Sequence, residues 1–122
     1  MKTALVVEDS AIMREIIVTS LSTFSEVNPV EVENGFEALK LLPHKNFDII
    51  LTDINMPDIN GLELLSFLKN HPQYRSIPVV IISTETSETD RRRGLALGAD
   101  DYLTKPFRPE DLQLIVRRLL RI

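Results

Sequence analysis

Apolar and polar positions along the chain follow two rhythms, and each change of rhythm marks the border of an element. Residues 4–7, 49–51 and 78–82 are short apolar runs with no internal alternation, the form of strands covered on both faces. Residues 30–33 instead alternate apolar with acidic side chains, as an edge strand with one solvated side does, and residues 101–104 form a short last strand. Between these runs the apolar residues recur at helical spacing. Ser10 is placed to cap a first helix carrying Ile12, Ile16, Ile17 and Leu21, with Met13 and Ser20 beside them, that runs toward Phe24. Asn28-Pro29 marks a turn, and Phe36, Leu39 and Leu42 define a short second helix that stops by Pro43. A third helix starts at Gly61 and buries Leu62, Leu65 and Leu68, flanked by Leu64 and Phe67. These leucine and isoleucine stripes read as core.

The fourth helix, residues 88–97, is polar, with Arg91, Arg92 and Arg93, an interior Gly94 and Gly98 just past its end. An interior glycine costs about 0.5–1 kcal/mol relative to alanine, so this should be among the softer elements. Pro109 suits the first turn of a last helix with Leu112, Ile115, Val116, Leu119 and Leu120 on its buried side. Strand and helix thus alternate without a linker across residues 1–122, which predicts one α/β domain, a doubly wound parallel sheet with right-handed crossovers.

Composition narrows the function classes. With 122 residues, 43% of them hydrophobic, the chain can bury a core unaided, and the absence of cysteine excludes disulfides, thiol redox chemistry and a cysteine nucleophile. No apolar run is long enough to span a bilayer, and residues 1–7 lack the form of a secretory signal, so a soluble, cytoplasmic protein without membrane insertion is expected. A net charge of −4 gives no general attraction to nucleic acid, and no direct binding to it is expected. Three consecutive arginines point in different directions around a helix, which fits a solvated face better than a nucleic-acid patch; an acidic protein partner is the functional alternative. His44 and His71 each neighbour a proline in a loop and read as exposed.

The chemistry gathers at the strand ends. Glu8-Asp9 follow the first strand, Asp53 the third, Ser83-Thr84 the fourth and Lys105 the fifth, and in a parallel sheet all of these reach one edge. Three carboxylates there would repel, and one would take up a proton unless a cation intervened. A hard divalent ion such as Mg²⁺ takes oxygen ligands of this kind. Lysine and serine beside it suit an anion, so the edge is suited to a carboxylate, a cation and a phosphoryl group together. Asp53, central among them, can attack phosphorus and carry the group as a labile acyl phosphate.

The segments VVEDS, LTDINMPDINGLELL, VVIISTE and DYLTKPF, in this order and spacing, resemble the receiver domain of two-component response regulators, from about Leu5 to Leu120. The similarity is to chemotaxis-type, single-domain receivers, and it implies the flavodoxin-like strand order 2-1-3-4-5 with helices on both faces. It further implies that Asp53 accepts a phosphoryl group, that Asp9 and Asp53 ligate Mg²⁺ directly with the backbone carbonyl of Asn55, and that Glu8 acts on the metal through water. Ser83 and Lys105 would contact the phosphoryl oxygens, Tyr102 would be an aromatic switch coupled to Ser83, and Asn55 and Glu85 would set the phosphoryl lifetime. Glu8 and Ser83 stand where the commonest pattern has Asp and Thr, both frequent family alternatives. A cis peptide at Lys105-Pro106 is expected on the same basis.

The implied function is a regulatory switch and not an enzyme acting on an external substrate. It would receive phosphoryl from a histidine kinase, a phosphotransfer protein or a small donor, and alter the face formed by the fourth helix, fifth strand and fifth helix for a protein target. Monomer and phosphorylation-favoured dimer both fit. Plainer readings stand beside each residue: a strand-end ion pair for Asp53 and Lys105, favourable charge at a helix start for Glu8-Asp9, capping for Ser83-Thr84 and half-buried packing for Tyr102. A phosphatase of the haloacid dehalogenase type would want an acid where Asn55 stands, and a flavodoxin-like flavin site would want a phosphate cradle where Glu8-Asp9 would repel one.

Overall fold

A computed structural model of the protein describes residues 1–84 and 88–122. Its strands are β1 (Lys2–Val7), β2 (Val27–Val32), β3 (Ile49–Thr52), β4 (Val79–Ser83) and β5 (Asp101–Thr104). Its helices are α1 (Ala11–Leu21), α2 (Gly35–Leu41), α3 (Gly61–Lys69), α4 (Glu88–Ala96) and α5 (Pro109–Leu120), with a 3-10 turn at Leu42–His44 after α2. The five strands are parallel in the order β2-β1-β3-β4-β5.

The two-residue alternation of the strands sorts their apolar side chains into two cores. Leu5, Val7, Ile50, Val79, Ile81 and Tyr102 face one way, onto Ala38 of α2 and Leu62, Leu65 and Leu68 of α3. Ala4, Val6, Ile49, Leu51, Val80 and Ile82 face the other way, onto Ile17 and Leu21 of α1 and Leu112, Val116 and Leu120 of α5. Burial on both sides is why these strands show no polar alternation in the sequence. Side chains cap the helices as their sequences suggest: Ser10, Asn34 and Asn60 accept from the third residue of α1, α2 and α3, and Glu63 returns the bond in a capping box. Gly98 has φ +108°, the left-handed region that glycine enters freely, and the Lys105-Pro106 peptide is cis.

Three sequence expectations change. The second strand begins at Val27 and runs through Asn28-Pro29, which the sequence marks as a turn; Pro29 sits on an edge strand, where a missing N–H costs no ladder bond. The apolar stripe of α1 is only partly core, because Ile12 and Ile16 are 75% and 41% exposed. At about 100° per residue Ile16 lies a quarter turn from Ile17, outside the arc that faces the sheet. Phe36 and Phe67 are exposed for the same reason, at the margins of α2 and α3. Tyr102, in contrast, is buried and not half-buried.

Candidate functional site

Strand register brings the site together. Val7 of β1 pairs with Thr52 of β3, so Glu8 and Asp53, one residue further on, leave the sheet side by side. The ladder continues through them, with the Asp53 N–H donating to the Val7 carbonyl (3.1 Å) and the Glu8 N–H to the Val32 carbonyl (3.2 Å). Ser83 pairs with Thr104 across β4 and β5, and the Lys105 N–H donates to the Ser83 carbonyl at 2.8 Å.

Carboxylate oxygens of Glu8, Asp9 and Asp53 lie within 4.8 Å of one another. The Lys105 Nζ donates to Glu8 Oε1 at 2.6 Å and stands 3.5 Å from Asp53 Oδ2. Glu8 Oε2 accepts from the Ser10 N–H at 3.1 Å, and Asp53 Oδ1 accepts from the Ile54 N–H at 2.8 Å. Glu8 and Asp53 are buried, whereas Asp9 is exposed and opens the cluster to solvent. Burial pushes the Glu8 carboxyl above its ordinary range and nearby Asp53 adds to the rise, while Lys105 and the Ser10 N–H oppose it.

The donor set suits a hard cation. All three groups offer oxygen, they converge closely, one faces solvent, and among the described residues this is the one cluster of three or more potential ligands. The neighbouring ammonium equips the same edge to hold an anion.

Each expected residue has a definite place. Glu8, Asp9, Asp53 and Lys105 meet at one point, and buried Ser83 lies on the next strand, on the same side of the sheet as Ile81 and Tyr102. The Tyr102 ring is turned inward beneath α4, with the Arg91 guanidinium 5.7 Å from its centroid. Asn55 is exposed in the loop after Asp53, Thr84 is exposed, and Glu85 lies outside the described residues.

Two supporting residues do not stand out in the sequence. Arg14 Nη1 donates to the Glu8 carbonyl at 2.8 Å. Its signal was a cation inside the arc of α1 that faces the sheet. Gly61 reads in the sequence as the start of the third helix and no more. It is the first residue of α3, its N–H donates to the Ile54 carbonyl at 2.9 Å, and a Cβ there would fall 2.0 Å from the Asp53 carbonyl oxygen. Nothing in a single sequence distinguishes a glycine needed for a turn from one needed for close approach.

Residues 4–117 match the response regulator receiver domain. A chemotaxis protein CheY homolog from Campylobacter jejuni is 38% identical over 89% of this chain and 85% of its own length. A probable transcriptional regulatory protein from Picosynechococcus is 42% identical over 96% of this chain, which spans about half (48%) of that relative. The chemotaxis protein CheY4 of Vibrio cholerae superposes with a TM-score of 0.89 at 33% identity, covering 98% of this chain and 99% of that one.

Proposed function

The chain belongs to the response regulator receiver domain family of two-component signalling, whose members are regulatory, and on that premise we propose a phosphorylation-controlled switch with Asp53 as its acceptor. The observation that carries this reading is the placement of Asp53: a buried carboxylate at the tip of the central strand, beside two further carboxylates and 3.5 Å from an ammonium.

In the proposed reaction a carboxylate oxygen of Asp53 attacks the phosphorus of a phosphohistidine on a kinase or phosphotransfer protein, or of a small donor such as acetyl phosphate. The P–O bond forms as the bond to the donor breaks, and the donor atom leaves with the electron pair. Lys105, already poised between Glu8 and Asp53, neutralises charge on the transferred oxygens. Asp9, Asp53 and the Asn55 carbonyl would hold Mg²⁺, with Glu8 acting through water, and the bound ion supplies positive charge to the phosphoryl oxygens and screens the carboxylates from one another.

Ser83 then donates to the phosphoryl group. Its neighbour Tyr102 reads the change on the same side of the sheet, altering the surface formed by α4, β5 and α5 for a protein target. Phosphorylation shifts the population only by its differential interaction with the two arrangements. Tyr102 is buried beneath α4, with the Arg91 guanidinium 5.7 Å from its ring centroid, and on this reading phosphorylation changes how often the ring is held there. Asn55 and Glu85 flank the approach of water to the acyl phosphate and set its lifetime; equal rates of phosphoryl loss in variants of either residue would sink that part.

Mg²⁺-dependent labelling by acetyl phosphate, or binding of beryllium fluoride, tests the central claim. Native protein is expected to take up one group per chain, and Asp53→Asn none. Uptake by Asp53→Asn equal to that of native protein would overturn it.

A further inference from the structure

Arg14 lies outside every role assigned above, yet it touches the main chain of the acidic site. Its side chain is only 15% exposed. Nη1 donates to the Glu8 carbonyl at 2.8 Å, Nε lies 3.6 Å from Glu31 Oε1, and Nη2 lies 3.8 Å from Glu33 Oε1. Both glutamates are well exposed, at 47% and 68%, so these ion pairs are individually weak, and their effect is to orient the guanidinium. The short bond to the Glu8 carbonyl is the charge-assisted one.

Glu8 is where β1 stops being a strand. Its N–H still pairs with Val32 of β2, but its carbonyl turns toward α1 and is met there by Arg14. The backbone of Glu8 is therefore held on both sides, the Val7–Glu8 peptide by the edge strand and the Glu8–Asp9 peptide by the helix. We infer that Arg14 is a positioning residue: by fixing the Glu8–Asp9 peptide it sets where the Glu8 and Asp9 carboxylates stand relative to Asp53, with Glu31 and Glu33 aligning its fork. The inference rests on the divalent-cation reading of the cluster and deepens it.

Charge and geometry make opposite predictions, so the role is separable. A guanidinium near three carboxylates opposes an incoming divalent cation, and on charge alone its removal tightens metal binding. Positioning requires the reverse. Groups that orient metal ligands without touching the metal typically matter about 10- to 100-fold in affinity. Arg14→Lys keeps the charge while losing the planar fork that meets three oxygens at once, so positioning predicts a loss there too.

The experiment is calorimetric titration of Mg²⁺ into the native chain, Arg14→Ala and Arg14→Lys, with circular dichroism establishing that each is folded. The expected result is affinity weaker by about tenfold in Arg14→Ala and by a smaller margin, beyond twofold, in Arg14→Lys. Affinities within twofold of native, or tighter, overturn the inference while leaving the metal reading intact. Should Arg14→Ala fail to fold, Arg14→Lys decides by the same criterion. A native chain that binds no Mg²⁺ overturns the metal reading itself and the inference with it.

Discussion

Gly61 governs Asp53 from across a loop. The first turn of α3 sits on the main chain of Asp53 and Ile54, and the approach is so close that a single methyl group at position 61 would overlap the Asp53 carbonyl oxygen. Backbone cannot rotate away as a side chain can. Gly61→Ala is therefore expected to cost about 3 kcal/mol or more, as overpacking against rigid atoms does, read as a lower midpoint in urea denaturation. Because relief must move the Asp53 peptide, labelling by acetyl phosphate should fall in the fraction that remains folded. The reactive residues were legible in the sequence, since Glu8, Asp9, Asp53 and Lys105 all interrupt or end apolar strand patterns. Arg14 and Gly61 were not, because what they do depends on a contact and not on a pattern. The bond from Lys105 to Glu8, shorter than its approach to Asp53, was equally out of reach: charge balance says that the lysine joins the cluster, not which carboxylate it prefers.

Among the elements, α4 differs from its neighbours. Gly94 is its one buried residue among those described, against five in α3, and its first turns carry Glu88, Asp90 and three arginines. At Gly94 an added Cβ would meet nothing nearer than 3.7 Å, where it would touch Leu62 and the Tyr102 ring. The contrast with Gly61 is physical: one glycine answers a close approach, and the other leaves slack in a helix. Gly94→Ala is expected to stabilise the protein by about 0.5–1 kcal/mol through helix propensity, raising the urea midpoint. No change, or a loss, would show that the backbone at 94 needs its freedom. Helical periodicity located four of the five helices and Gly98 marked the end of the polar fourth, but periodicity gives the spacing of a stripe and not its phase relative to the sheet. That is why Ile12, Ile16, Phe36 and Phe67 read as core and are exposed.

For the whole molecule, the register of β1 against β3 gathers negative charge at one end of a parallel sheet. If that end binds Mg²⁺ as proposed, the ion stabilises the native state by mass action. At 100 times its dissociation constant the gain is about 2.7 kcal/mol, which in a domain of this size lifts the midpoint by roughly 10 °C. Thermal melts with Mg²⁺ and with EDTA should show that rise in native protein and little of it in Asp9→Asn. An equal rise in both would separate Asp9 from the metal. The α/β class and the collection of polar strand ends followed from the pattern of runs, because buried parallel strands are apolar until they leave the sheet. Strand order did not: alternation says that the strands are parallel, and the arrangement β2-β1-β3-β4-β5 was supplied by family likeness.

The sparse burial of α4 has one further consequence. Most of its side chains face solvent and the core asks of it little beyond Gly94, so almost any helical sequence could replace it at small cost in folding. Under the proposed function this is also a helix that addresses the target. The message can thus be redirected by rewriting surface residues alone, while the acceptor chemistry stays as it is. Such a division lets duplicated copies of the domain diverge toward new listeners without first losing their fold, and it marks α4 as the segment to exchange when rewiring the protein by design.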